Sequence, residues 1–170
     1  MNRWIRSSFF SALLILLAAF PALAGGPPRD ILGVSVGMPY EEAQARLSKN
    51  GEQTSGTLGA GGGKIAWRLN DKRYSHAVVR YNKSHTVEWM TVFAAESGKA
   101  VSYKDIGNLD QARLQGHYFY SWNCVRRDGT SYVVRAAGTD SEKLQSLSMY
   151  RLGSAFKEVA GMPEKGSVKP

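Results

Sequence analysis

The residues able to do chemistry in this 170-residue chain are few: one cysteine, Cys124, three histidines, at 76, 85 and 117, and a glycine run that ends in Lys64. A thiolate nucleophile needs a base within hydrogen-bond reach, and His117 shares a strand-like segment with Cys124. The two differ by seven positions, and an odd spacing on an unbulged strand turns side chains to opposite faces. Cys124 instead falls in step with Tyr118, Tyr120 and Trp122, and reads as a thiol packed like a small hydrophobe.

Metal and phosphate chemistry fail on spacing as well. The histidines form neither H-E-x-x-H nor H-x-H and have no cysteine cluster beside them, so no metal site is expected. A phosphate-binding loop ending at Lys64 would need Gly at 58 and Ser or Thr at 65, where Leu58 and Ile65 stand. Such a loop also opens a helix, whereas a strand pattern follows here. The run therefore reads as a mobile connection able to order on a partner. Glu41 and Glu42 are helix neighbours pointing different ways, Asp140 and Glu142 sit in a polar turn, and no G-x-S-x-G is present. No cofactor is expected, and a non-catalytic role leads. A small periplasmic hydrolase or transferase with an unrecognised site, or an inhibitor of another enzyme, is the alternative.

What remains is aromatic and basic. Trp67, Trp89, Tyr118, Tyr120, Trp122, Tyr132 and Tyr150 are accompanied on strands and turns by Lys64, Arg68, Lys72, Arg73, Arg80, Arg126, Arg127, Arg135 and Arg151. Trp, Tyr and Arg dominate interface hot spots, and a helix covers only part of a sheet face, so uncovered aromatics would form a sticky surface. The competing reading is that most of these rings fill the core, because Trp and Tyr bury large areas. The binding candidates are Trp67, Arg68, Arg80, Trp89, Tyr118, Tyr120, Trp122, Arg126 and Tyr132.

Positioning them requires a sheet. Pro39 suits a first helical turn, Glu41 and Glu42 suit a helix N-terminus, and Ala43 and Leu47 share a face, which predicts a short helix over about 39–49. Six glycines between Gly51 and Gly63 have loop composition. Period-two rows follow: Ile65, Trp67, Leu69; Ala77, Val79, Tyr81; and Val87, Trp89, Thr91, Phe93. Short polar breaks between them predict an antiparallel meander. Residues 102–116 interrupt the pattern, with Leu109, Ala112 and Leu114 as helical contacts. Strands then run over about 117–127, 130–137 and 145–152, the first two joined by an Asp128-Gly129 hairpin signal. Gln44-Ala45-Arg46-Leu47 recurs as Gln111-Ala112-Arg113-Leu114. The expected fold is α+β: an antiparallel sheet of about six strands packed by one or two short helices, as a doubled helix-plus-three-strand unit.

The chain begins with an address. Arg3 and Arg6, an apolar run from Phe9 to Phe20 and Ala22-Leu23-Ala24 have the layout of a signal peptide cleaved before Gly25. Residues 25–29 read as a linker, 30–152 as one domain and 153–170 as a loose tail. Of the net charge of +8, the leader holds Arg3 and Arg6 and no acid, so 146 residues carry +6 after cleavage. A periplasmic location is expected, with secretion as the alternative, and with no lipid cysteine at Gly25 and no stable membrane anchor. In that compartment nucleic acid is not the default partner; a protein or an anionic envelope component is.

Leu32-Gly33-Val34-Ser35-Val36-Gly37-Met38-Pro39-Tyr40-Glu41-Glu42-Ala43-Gln44-Ala45-Arg46-Leu47 resembles the G-M-[ST]-x-x-E-[AV]-x-x-x-L opening helix of small envelope proteins of the SmpA/OmlA (BamE) type. Pro39 stands where Ser or Thr is usual, and the lipid-bearing cysteine usual in that family is absent. The resemblance implies a helix-plus-antiparallel-sheet fold shared with the β-lactamase inhibitory proteins, which double the unit, and a binding or scaffolding module of the envelope.

Overall fold

The computed structural model describes residues 26–97 and 99–153; the expected signal peptide and the tail beyond Gly153 lie outside the described residues. Pro39 precedes α1 (Tyr40–Leu47) as the sequence predicts. Glu41 and Glu42 occupy its first turn, Arg46 its last, and Ala43 and Leu47 are buried. The backbone N–H of Ser48 closes on Gln44 O at 2.9 Å, and a strand takes over at Gly51.

Eight strands follow: β1 (Gly51–Gly59), β2 (Gly62–Leu69), β3 (Tyr74–Tyr81), β4 (Val87–Ala94), β5 (Arg113–Leu114), β6 (Phe119–Val125), β7 (Ser131–Gly138) and β8 (Leu144–Arg151). All pair antiparallel in one sheet of order β1-β2-β3-β4-β8-β7-β6-β5. Between β4 and β5 lie α2 (Tyr103–Ile106) and a 3-10 turn (Leu109–Gln111). The order reads alike from either edge: each half enters through a helix, lays its first strand at an edge and brings its fourth to the centre. There β4 meets β8, with Trp89 opposite Tyr150 and Thr91 opposite Ser148. The fold is α+β in a loose sense, mostly sheet.

The expectation of about six strands is corrected to eight, and both missed strands are the edges. The segment from Gly51 to Gly63, read as a mobile loop, is β1 and its hairpin into β2. Its residues lack an apolar row because the strand is exposed over most of its length. Two of its glycines answer to geometry. Gly56 has φ +92 beside a register shift between Gln53 and Ser55, and Gly62, at φ +93, sits where a side chain would strike the backbone of Tyr81 and Asn82.

The other missed strand, β5, falls in the segment read as helical contacts. Leu114 is no helix contact; it is 59% exposed. The repeated Gln-Ala-Arg-Leu is helical at 44–47 and spans the end of a 3-10 turn and an edge strand at 111–114. The layout is therefore helix plus four strands in each half, and those four residues do not occupy matching places in it.

One face of the sheet carries the main core. Ile65, Trp67, Ala77, Val79, Met90, Val92, Trp122, Val134, Leu147 and Met149 pack there under Val34, Val36, Ala43 and Leu47 of the opening segment and α1, and under Tyr103 and Ile106 of α2. We call this the inner face. The short α2 is held by a reciprocal cap in which Ser102 Oγ accepts from Lys104 N and Asp105 Oδ2 accepts from Ser102 N. The Tyr103 hydroxyl, pushed up in pKa by burial, points at the carbonyl oxygens of Asp140 at 3.1 Å and Tyr118 at 3.2 Å.

Candidate functional site

Period two decides the face of each side chain, and registers across strands decide its neighbours. Opposite the core, on the outer face, Thr57, Lys64, Arg80, Trp89, Tyr150, Val133 and Asn123 form one cross-strand row. Ala66, Val78, Thr91, Ser148, Arg135, Ser121 and Arg113 form the next. A third holds Glu52, Arg68, His76, Phe93, Ser146, Ala137 and Phe119. No described helix lies over this face.

At its centre Trp89, Val133 and Tyr150 make a second, small cluster with Val78 beside it. Cations ring it. Lys64 Nζ lies 5.6 Å from the Trp89 ring centre, and the Arg135 guanidinium lies 4.8 Å from that of Tyr150 and 5.5 Å from that of Phe119. Cation–π attraction accounts for these placements. Arg80 Nε donates to Glu88 Oε2 at 3.0 Å, and Arg68 pairs with Glu52. Beneath the ring of charge the Thr91 and Ser148 hydroxyls, both buried, bond each other at 2.9 Å. Phe93, 42% exposed, adds an apolar contact at the margin.

The candidates from the sequence divide between the two faces. Arg68, Arg80 and Trp89 come together on the outer face, but the Trp89 ring is buried there, which corrects the expectation that it is exposed. Trp67, Trp122 and Tyr132 lie in the inner core and are buried, which corrects the expectation of exposed rings there: α1, α2 and the opening segment cover that face. Trp122 Nε1 donates to Asn108 O at 3.0 Å. Tyr120 is partly buried against Tyr103, ring centres 4.9 Å apart. Tyr118, at φ 54, precedes β6 and packs on the core margin. Arg126 sits at the β6–β7 hairpin, away from the other two arginines, bonded to Val36 O. The outer-face residues that sequence reasoning left out of the candidate set are Lys64, Phe93, Arg113, Phe119, Arg135 and Tyr150. Lys64, Phe93, Phe119 and Tyr150 lie in step with a candidate along their own strand or across the ladder, and that register is the signal that finds them, whereas Arg113 and Arg135 share a row that holds no candidate.

Cys124 takes the inner face, as parity requires, and is partly rather than fully buried. Its thiol contacts the Trp122 carbonyl at 3.6 Å and the Tyr132 hydroxyl. Burial pushes the thiol up and outweighs those hydrogen bonds, so it is protonated at neutral pH and a poor nucleophile. Tyr132 is pushed up to about 12, first by burial and then by Cys124. Among the described residues no group of three His, Cys, Asp or Glu could hold a metal ion, and no helix is long and apolar enough to cross a membrane.

Comparison with family models, with curated proteins and with solved structures returns no match.

Proposed function

We propose that this chain is a non-catalytic periplasmic binding or scaffolding module that presents the outer face of its sheet to a protein or anionic component of the envelope. The observation that carries the reading is the composition of the strands. Their outer face holds five basic residues, Lys64, Arg68, Arg80, Arg113 and Arg135, against two acids, Glu52 and Glu88, and each acid pairs with an arginine of that face. Exposed Lys64, Arg68, Arg113 and Phe93 around the buried Trp89–Tyr150 centre combine long-range attraction with an apolar contact. The signal-peptide layout of residues 1–24 and the resemblance of residues 32–47 to SmpA/OmlA-type proteins support the location and the scaffolding role.

Photocrosslinking in intact cells tests it. A crosslinking residue at position 93 should capture a defined envelope species, and one at position 41, on the exposed side of α1, should not. Capture at 41 alone, or turnover of any substrate that disappears on replacing one Cys, His or acid, would refute the reading. Intact-mass analysis of the periplasmic protein should begin at Gly25.

A further inference from the structure

A second site lies on the opposite side of the sheet from the cationic ring. The opening segment from Arg29 to Pro39, Glu42 and Arg46 of α1, and the β6–β7 hairpin enclose an open groove of about 850 Å³. Five arginines line it, at 29, 46, 126, 127 and 151, against three acids, Asp30, Glu42 and Asp128. The excess charge is positive in a concave place, where low-dielectric walls concentrate the field.

Two of the guanidiniums are held in part by neutral groups. Arg126 Nη1 donates to Val36 O at 2.7 Å and to Ser35 Oγ at 3.2 Å. Its carboxylate neighbour, Asp128, stands off at 3.6 Å and accepts instead from Thr130 N at 2.9 Å. Arg46 Nη1 donates to Gly33 O at 2.6 Å while Nη2 takes Glu42 at 2.5 Å. The carbonyls fix both guanidiniums in place, while Glu42 and Asp128 offset part of their charge. Exposed Arg29 and Arg127 add charge at the rim, and Val125, 69% exposed, offers a contact for aliphatic stems.

We propose that this groove binds an acidic peptide segment of a partner protein, its Asp and Glu carboxylates meeting the arginine forks. Planar guanidinium forks match carboxylates in a bidentate way, and Glu42 and Asp128 already occupy part of the groove as carboxylate ligands of Arg46 and Arg126. An open groove rimmed by spaced arginines suits an extended chain with several carboxylates better than one compact ion. The site is independent of the outer face.

Fluorescence anisotropy with a labelled hexaglutamate peptide tests it on the mature protein at low salt. Hexaglutamate should bind and hexaglutamine should not. The double substitution Arg29→Gln and Arg127→Gln, which touches neither guanidinium that holds the opening segment, should weaken binding at least tenfold, and Arg127→Lys should retain most of it. Arg68→Gln with Arg113→Gln, on the outer face, should change it less than twofold. Unchanged affinity in the groove variant, equal loss in the outer-face variant, or displacement of the peptide by inorganic phosphate at matched charge would each overturn the proposal. None of these outcomes bears on capture at position 93, so the two sites stand or fall separately.

Discussion

Trp122 and Trp89 are equally hidden, at 2% and 1% exposure, yet they belong to different environments. Trp122 lies in the inner core with an indole N–H satisfied by Asn108 O, beneath helices and the opening segment. Trp89 lies on the outer face in a cluster whose buried members are itself, Val133 and Tyr150, with a lysine ammonium over its ring. Burial alone therefore does not separate the two aromatic clusters of this chain. The charge around them does.

The contrast has energetic consequences that mutation can break. Trp122→Ala leaves a large cavity among fixed neighbours and orphans the Asn108 carbonyl, so it should cost about 3–5 kcal/mol. Urea denaturation measures this, and capture at position 93 should fall only as the folded fraction falls. Trp89→Ala should cost less, about 2–3 kcal/mol, because its cluster has three buried members among the described residues and fewer contacts are lost. It should also reduce capture by the folded protein. Equal losses of stability with capture unchanged would erase the distinction between the two faces.

A sharper probe is the hydroxyl pair under the outer cluster. Thr91→Val strands the buried Ser148 hydroxyl and should cost about 1–2 kcal/mol. Adding Ser148→Ala should restore most of it, since removing both partners is nearly neutral where removing one is not. A double variant as unstable as the single would mean that Ser148 has another partner.

These faces were only half legible from the residues. Parity within each strand is read directly from alternation, and it places Cys124 with Trp122 and Lys64 with Arg68. Which parity the helices cover depends on how α1 and α2 dock, and no spacing within one strand encodes that. Trp67, Trp122 and Tyr132 therefore look like surface candidates until the core is seen. The edges were illegible for another reason: β1 and β5 bury no apolar row, so period two has no hydrophobic signal to carry. Gln-Ala-Arg-Leu shows the same limit, since Leu47 is buried against the sheet while Leu114 points into solvent. Tertiary contact, not the four residues, decides the conformation.

Acid separates the turns from the faces. Burial pushes the Asp71 carboxyl up, but the Arg73 and Tyr74 backbone N–H groups, at 2.7 and 3.2 Å, and the Arg73 guanidinium outweigh it and hold it below its ordinary value. Asp128 is lowered chiefly by Thr130, and Asp140 by the N–H groups of Glu142 and Lys143. A carboxyl lower in the folded than in the unfolded state stabilises above the unfolded pKa of about 3.9, and that contribution is lost as pH falls through the folded value. Thermal denaturation from pH 6 to pH 2 should show Tm dropping below about pH 4, and Asp71→Asn should flatten the slope while lowering Tm at pH 6. A Tm that rises on acidification would contradict the assignment.

The smallest effect is expected at Arg68. Its side chain and that of its partner Glu52 are 63% and 61% exposed, and such a pair contributes about 0–1 kcal/mol because water and salt screen it. Arg68→Gln should therefore move stability by no more than about 0.5 kcal/mol. Its influence on capture at position 93 should appear only at low ionic strength. Steering by a peripheral charge acts over roughly a Debye length, about 10 Å at 0.1 M salt and 3 Å at 1 M. Crosslinking yield measured in a cell-free envelope extract should be lower for Arg68→Gln than for the parent at low salt and equal at 1 M. A deficit that persists at 1 M would place Arg68 in direct contact with the partner and extend the binding surface from position 93 to the β1–β2 margin.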